Sequence, residues 1–331
     1  MNKYNKYIIV GCCILICIII GVLIYFLTRK SNSFVAVGSS GTDSIAYSTD
    51  GKIWKGITGT SVFDVGYSIS YNGSRWIAGG KGKYSMAYSD NMIDWKGITG
   101  LDIFSICKGI SCKENFWVAV GTGRYSIMYS EDNGYTWKGV DNSTTIFDAG
   151  YIGGVDVKYN GKIWVATGKP FSTINSSIAY SNNGIIWKGI QDSANYANPS
   201  ILSFYDKNWI IGDNTLYSED GITWNIDTTR VSDVLDYFVV HCNENLCVFT
   251  GKGNGNSIAT SSVGEKTLHA VNKNIFDEEG GGSVTWNGGI WVCVGSGTNS
   301  SIAWSTDGNI WNDVKNNIFT TGNAVCAQTL V

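Results

Sequence analysis

Phe34–Gly38 reads FVAVG and Ser44–Trp54 reads SIAYSTDGKIW: a short apolar run, then an alternating run, a turn and a tryptophan. In the second stretch Ile45 and Tyr47 point to one side of an extended chain and Ala46 and Ser48 to the other, which is the period of a strand. Asp50 and Gly51 supply the turn, because a carboxylate accepts backbone N–H groups there and glycine permits a positive φ. The pattern then recurs. Apolar runs ending near a glycine begin at Phe34, Trp76, Trp117, Trp164, Trp209, Cys247 and Trp291. The alternating run with its turn returns at Ser85–Trp95, Ser126–Trp137, Ser177–Trp187, Thr215–Trp224 and Ser301–Trp311, while the copy starting at Ser257 has lost its tryptophan.

Seven units spread over the residues after Ser33 give about 43 residues each, the length of a four-stranded propeller blade and about twice a leucine-rich repeat. The repeat predicts an all-β, seven-bladed β-propeller over 34–331, each unit holding strands A to D in order. Strand A corresponds to stretches such as Gly66–Gly73, B to the FVAVG set, C to the SIAYS set and D to the segment starting at each tryptophan. The first unit begins at its B strand, and Gly322–Leu330, GNAVCAQTL, follows the last unit as a spare A strand. Pairing that tail beside Phe34–Gly38 closes the ring and removes two open edges.

Composition agrees with this reading. Charged residues are 15%, with 41 Gly, 2 Pro and 13 Trp, which excludes disorder, coiled coil and collagen. A net charge of −3, from 24 basic and 27 acidic residues, provides no overall field for nucleic acid. From Ile8 to Leu27 the chain carries no charge at all. At about 1.5 Å per residue this run matches a hydrocarbon core of about 30 Å, and it is too long for a signal peptide and lacks a small-x-small cleavage site. The expected organisation is a short tail (1–7), one transmembrane helix (8–27), a tether (28–33) and the propeller (34–331). Lys3 and Lys6 against Arg29 and Lys30 lean the N-terminus inward, so the propeller is expected outside the cytosol, on a cell, lumenal or virion surface.

Sequons at Asn72, Asn142, Asn175 and Asn299 fit such a placement as glycosylation acceptors. Cys12, Cys13 and Cys17 read as membrane filler. Cys107 and Cys112 repeat the spacing of Cys242 and Cys247, and each pair either bridges locally or stays as buried thiols. Lysine outnumbers arginine 20 to 4, a composition that suits an AT-rich genome such as that of a large DNA virus.

The turn Ser-x-Asp-Gly-x-x-Trp resembles the Asp-box (BNR) repeat of sialidase-type propellers. It matches at Ser48, Ser130, Ser181 (with Asn183 in place of Asp), Ser218 and Ser305, and is degraded in two units. The resemblance implies a structural role for Asp50, Asp132, Asp220 and Asp307, with Trp54, Trp137, Trp224 and Trp311 packing beneath. It does not extend to catalysis. Sialidases grip the substrate carboxylate with three arginines, but beyond the tether only Arg75, Arg124 and Arg230 remain, assigned to opposite faces, with Arg75 expected as a solvated turn residue. The Phe/Tyr-Arg-Ile-Pro signature is missing. One carboxylate per turn is too few for calcium, His241 and His269 match no zinc spacing, and no nucleophile elbow or phosphate loop occurs. No metal or cofactor is expected.

Asp64, Asp148 and Asp277 precede strand A beside Phe63, Phe147 and Phe276, and Phe104 and Phe319 recur at the same place. Glycosidase carboxylates stand about 5–9.5 Å apart, but this regularity favours packing between blades. Because strand B starts on the side of the A–B turns, the chain enters from the face that carries the Asp-turns. The opposite face then looks outward, with Lys81, Lys83, Arg124, Lys169 and Lys252 on B–C loops and Asp64, Asp148, Asp233, Asp236, Asp277, Glu278 and Glu279 on D–A loops. Loops on a rigid scaffold are where recognition sits. The expected function is a membrane-anchored, non-enzymatic interaction or attachment protein with a protein or glycan partner on this face. A tethered glycoside hydrolase and a structural membrane or assembly protein are the alternatives.

Overall fold

The computed structural model describes residues 33–39, 41–58, 62–100, 104–171, 176–193, 200–212, 216–226, 234–253, 255–265, 267–271, 275–276, 280–298, 300–315 and 318–328. Antiparallel strands dominate them, and the helix among them is one turn, Ser143–Ile146. The strands form four-stranded antiparallel sheets, the first two of them linked where Ser39 pairs with Val65, the architecture of a β-propeller. Each sheet but the first uses consecutive strands: Gly154–Tyr159 pairs with Trp164–Gly168, which pairs with Ile178–Ser181, which pairs with Lys188–Gly189. The run Ile8–Leu27 and the tether as far as Asn32 lie outside the described residues. Among the described residues no helix is long and apolar enough to cross a membrane.

The sheet at the chain's start is completed from its end. Thr321–Ala327 lies antiparallel beside Phe34–Ser39, with Phe34 opposite Ala327 and Ala36 opposite Val325. On its other side Phe34–Ser39 pairs with Ile45–Ser48, and that strand with Lys55–Gly56. Packing repeats the closure: Phe34, Ala36 and Trp54 share one buried cluster with Val292, Val294 and Ile302 of the sheet that precedes it around the ring. Without the tail strand, Phe34–Ser39 would present an unpaired edge next to an uncovered apolar face.

The core lies between sheets. Val118, Val120 and Ile127 of one sheet pack against Val157, Trp164 and Ala179 of the next. Trp76, Trp117, Trp164, Trp209 and Trp291, which open or follow the start of the second strands, are buried. Each removes on the order of 200 Å² from water, about 5 kcal/mol of gross transfer free energy before chain entropy is subtracted. The glycine near the end of the second strand has a steric cause. A Cβ on Gly38, Gly80, Gly168 or Gly295 would stand 2.6–2.7 Å from a ring carbon of Phe319, Phe63, Phe147 or Phe276 respectively. The phenylalanines that lead into the first strands are therefore packing residues, each laid flat on a bare backbone.

Cys242 and Cys247 face each other across a hairpin and form a disulfide. Cys107 and Cys112 do not: both are free and lie in the single strand Ile106–Lys113. Five residues of extended chain hold their Cα atoms about 16 Å apart, far beyond disulfide reach. In that hairpin Trp117 takes the place opposite Cys112 that Cys247 takes opposite Cys242. Burial pushes the Cys112 thiol up to about 11 and the Cys107 thiol higher still, so both stay protonated and unreactive.

Candidate functional site

The repeated turn consumes its own carboxylate. Asp50 Oδ1 accepts the amides of Lys52 and Ile53, each at 2.8 Å, Ser48 Oγ accepts the Gly51 amide at 2.8 Å, and Trp54 Nε1 donates to Gly51 O at 3.0 Å. Asp220 accepts Ile222 and Thr223, Asp307 accepts Asn309 and Ile310, and Asp132 accepts Thr136. Burial pushes Asp50, Asp132 and Asp220 up, but these bonds outweigh it and hold all three below the usual carboxylate range. At Asp307 the Ile310 amide is the leading cause of the same lowering. Trp137 and Trp311 donate to Gly134 O and Gly308 O, whereas Trp224 Nε1 is buried with no acceptor among the described residues. The second unit keeps the turn despite its divergent sequence: Asn91 Oδ1 accepts Ile93 and Asp94, and Met92 adopts φ 70° where other units use glycine.

Arg75 is not a solvated turn residue. Its side chain is 2% exposed, with Nε 2.7 Å from Asp90 and NH1 donating to Asn133 O at 3.0 Å. The guanidinium lies 4.3 Å from the Tyr88 ring centroid and 3.8 Å from that of Tyr135. The Asn72 side chain ties the same junction, donating to Glu114 O and Asn133 Oδ1 and accepting the Ser74 and Arg75 amides. Arg75 occupies the place held by the buried Ile163 and Ile290 in YNGKIW and WNGGIW. Lining those hairpins up with YNGSRW would have exposed the substitution. Of the other sequons, Asn142 donates to Trp187 O, while Asn175 and Asn299, like Arg230, lie outside the described residues.

The loop face gathers some of the expected residues. The Asp64, Asp148 and Asp236 amides donate to Lys81 O, Lys169 O and Lys252 O at 2.7–2.8 Å, so each lead-in loop is stitched to the end of a second strand. Lys81, Lys83, Arg124 and Lys252 are exposed, Lys169 is half-buried, and Asp277 is outside the described residues. Two further bonds extend the Asp148–Lys169 stitch into one cluster: Lys169 N to Gly153 O, and Gly123 N to Ala149 O, which brings the Arg124 loop against the next sheet. Tyr151 is 79% exposed and Phe171 64% exposed in the same loops, and Lys169 Nζ lies 5.5 Å from the Tyr151 ring. Neither aromatic follows from motif reading. Their signal is loop length: 140–153 and 169–177 are longer than the counterparts 57–64 and 82–85.

Beside this cluster opens a cavity of about 390 Å³, lined by the innermost strands, including Val65–Tyr71, Ile106–Lys113, Gly154–Tyr159, Tyr237–Cys242, Gly281–Trp286 and Thr321–Ala327. Lys108 Nζ donates to Ile152 O at 2.7 Å, joining the cavity wall to the Tyr151 loop. Asp156, the carboxylate of this wall, accepts the Leu202 and Val157 amides and lies 3.4 Å from Lys158 Nζ. His241, half-buried opposite, is pushed down to about 4 by desolvation and then by Lys158, so it is neutral near pH 7. The charges here are spent on the scaffold.

The fold resembles that of known propellers. An ancestral GH74 enzyme superposes with TM-score 0.56 at 15% identity over 86% of this chain and 45% of that one. The GH74 enzyme of Niastella koreensis gives TM-score 0.53 at 15% identity, over 86% of this chain and 46% of that one. YCF48 bound to D1 peptide gives TM-score 0.53 at 13% identity, over 78% of this chain and 84% of that one. The chain thus spans just under half the length of the two GH74 enzymes. No family model matches the sequence, and no curated protein matches it.

Proposed function

We propose that this chain is a membrane-anchored, seven-bladed propeller that holds a protein partner on its loop face without transforming it. The observation that carries the reading is the exposed pair Tyr151 and Phe171 set among Lys169 and Arg124 on stitched loops. Exposed aromatics and arginines are the side chains that dominate protein interfaces, and loops fixed by backbone bonds lose little entropy on binding. Lining of one cavity by the innermost strands, with Thr321–Ala327 among them, supports seven blades in a closed ring. The turn geometry supports kinship with Asp-box scaffolds. The uncharged run Ile8–Leu27 supports a single anchor, and the Cys242–Cys247 disulfide supports an oxidising, non-cytosolic setting, as on a cell or virion surface. YCF48, of similar fold, was solved with a peptide bound, which makes an extended protein segment the first partner to test.

The test is a peptide and glycan array read with the full chain in lipid nanodiscs. Binding to peptides that falls at least tenfold in the double variant Tyr151→Ala/Lys169→Ala supports the reading. Glycan binding or turnover of fluorogenic glycosides, unaffected by that variant, would replace it with the carbohydrate or hydrolase alternative.

A further inference from the structure

Eleven large hydrophobic side chains are exposed among the described residues, and they are not scattered. Five are isoleucines in the connection between the third and fourth strands of five sheets: Ile53 (69% exposed), Ile93 (48%), Ile186 (68%), Ile222 (39%) and Ile310 (71%). Tyr135 and Val263 occupy the same connection in two more. One such residue per sheet is a ring, whereas single exposed apolar residues elsewhere need no explanation. The turn fixes their presentation, because the Ile53 and Ile310 amides are held by Asp50 and Asp307 while both side chains stay exposed. Lys55, Lys96, Lys138 and Lys188 follow the turn tryptophans and are exposed beside them, able to extend their ammonium groups to a headgroup layer.

The way the chain enters identifies what covers this ring. Phe34 pairs with Ser48, the first residue of its turn, so the first strand begins on the turn face. The Thr28–Asn32 link between that strand and Leu27 reaches at most about 17 Å, against a headgroup layer of roughly 5–7 Å. We infer that the isoleucine ring rests on the bilayer that holds the anchor, inserting into the interface of a phosphatidylcholine-type membrane and standing the propeller flat with its loop face outward. The inference rests on the anchor reading above and adds the orientation and the lipid contact.

The full chain, reconstituted in phosphatidylcholine vesicles, tests it with an environment-sensitive fluorescent amino acid incorporated in place of Ile53, Ile186 or Ile310, or of Lys83 on the loop face. These positions are exposed, so the label leaves the core intact. Emission shifted to the blue and quenched several-fold more by doxyl lipids at the three turn positions than at Lys83 is the expected result. Turn positions as accessible to aqueous iodide as Lys83, in protein that floats with vesicles through carbonate extraction, overturn the docking while sparing the anchor. Protein that does not float with the vesicles overturns both.

Discussion

Arg75 shows how one side chain changes role when its neighbours come from different turns. Its cation stacks between Tyr88 and Tyr135, while its partner Asp90 is 58% exposed. The two halves of the pair therefore have unequal weight. Arg75→Ala opens a gap, removes both ring contacts and orphans Asn133 O, and should lower stability by about 2–3 kcal/mol. Asp90→Asn should cost under about 1 kcal/mol, as for other solvated partners. Urea unfolding of the two variants checks the ratio, and equal losses would mean the ion pair rather than the stack holds the junction. The roles of Asp50 and Trp54 were legible because every hydrogen-bond partner of their side chains lies within the same turn. That of Arg75 was not, since a charge in a hairpin reads as solvated until Tyr135 arrives from the next sheet.

At the scale of elements, acid stability divides between the cavity wall and the turns. His241 has its folded value lowered to about 4 from 6.5, so between these pH values the unfolded chain binds a proton that the folded one does not. Stability is therefore full above about pH 6.5 and declines by up to about 3 kcal/mol as the pH falls to about 4, less whatever cavity water relieves. The turn carboxylates are also held low, and they add a second loss only below about pH 4, as they take up protons. Unfolding midpoints from about pH 7.5 to 3 should show both stages, with His241→Gln abolishing the first. A flat profile from 7.5 to 4.5 in the parent chain would contradict the desolvation of His241. Strand positions were legible from alternation and the recurring tryptophan. Register at the cysteines was not, because equal spacing straddles a turn at Cys242 and Cys247 but lies within one strand at Cys107 and Cys112.

For the molecule as a whole, the repeat and the leftover tail segment announced a ring, since an all-β chain with a missing first strand and a spare last one has a natural way to satisfy both edges. The cluster on the loop face was less legible. Lys169 and Arg124 were visible as charges, but Tyr151 and Phe171 become a cluster only when their two long loops are stitched together through Lys169 to Asp148 and Gly153. Both the proposed partner site on the loop face and the proposed membrane contact of the turn ring depend on closure by Thr321–Ala327. Amide hydrogen exchange of the full chain tests this most directly, by comparing Thr321–Ala327 with an interior strand such as Phe116–Thr122. Protection of the terminal strand as strong as that of the interior one, lost together with it under denaturant, is the predicted result. Exchange of Thr321–Ala327 at the rate of an unstructured tail while Phe116–Thr122 stays protected would contradict the closed ring.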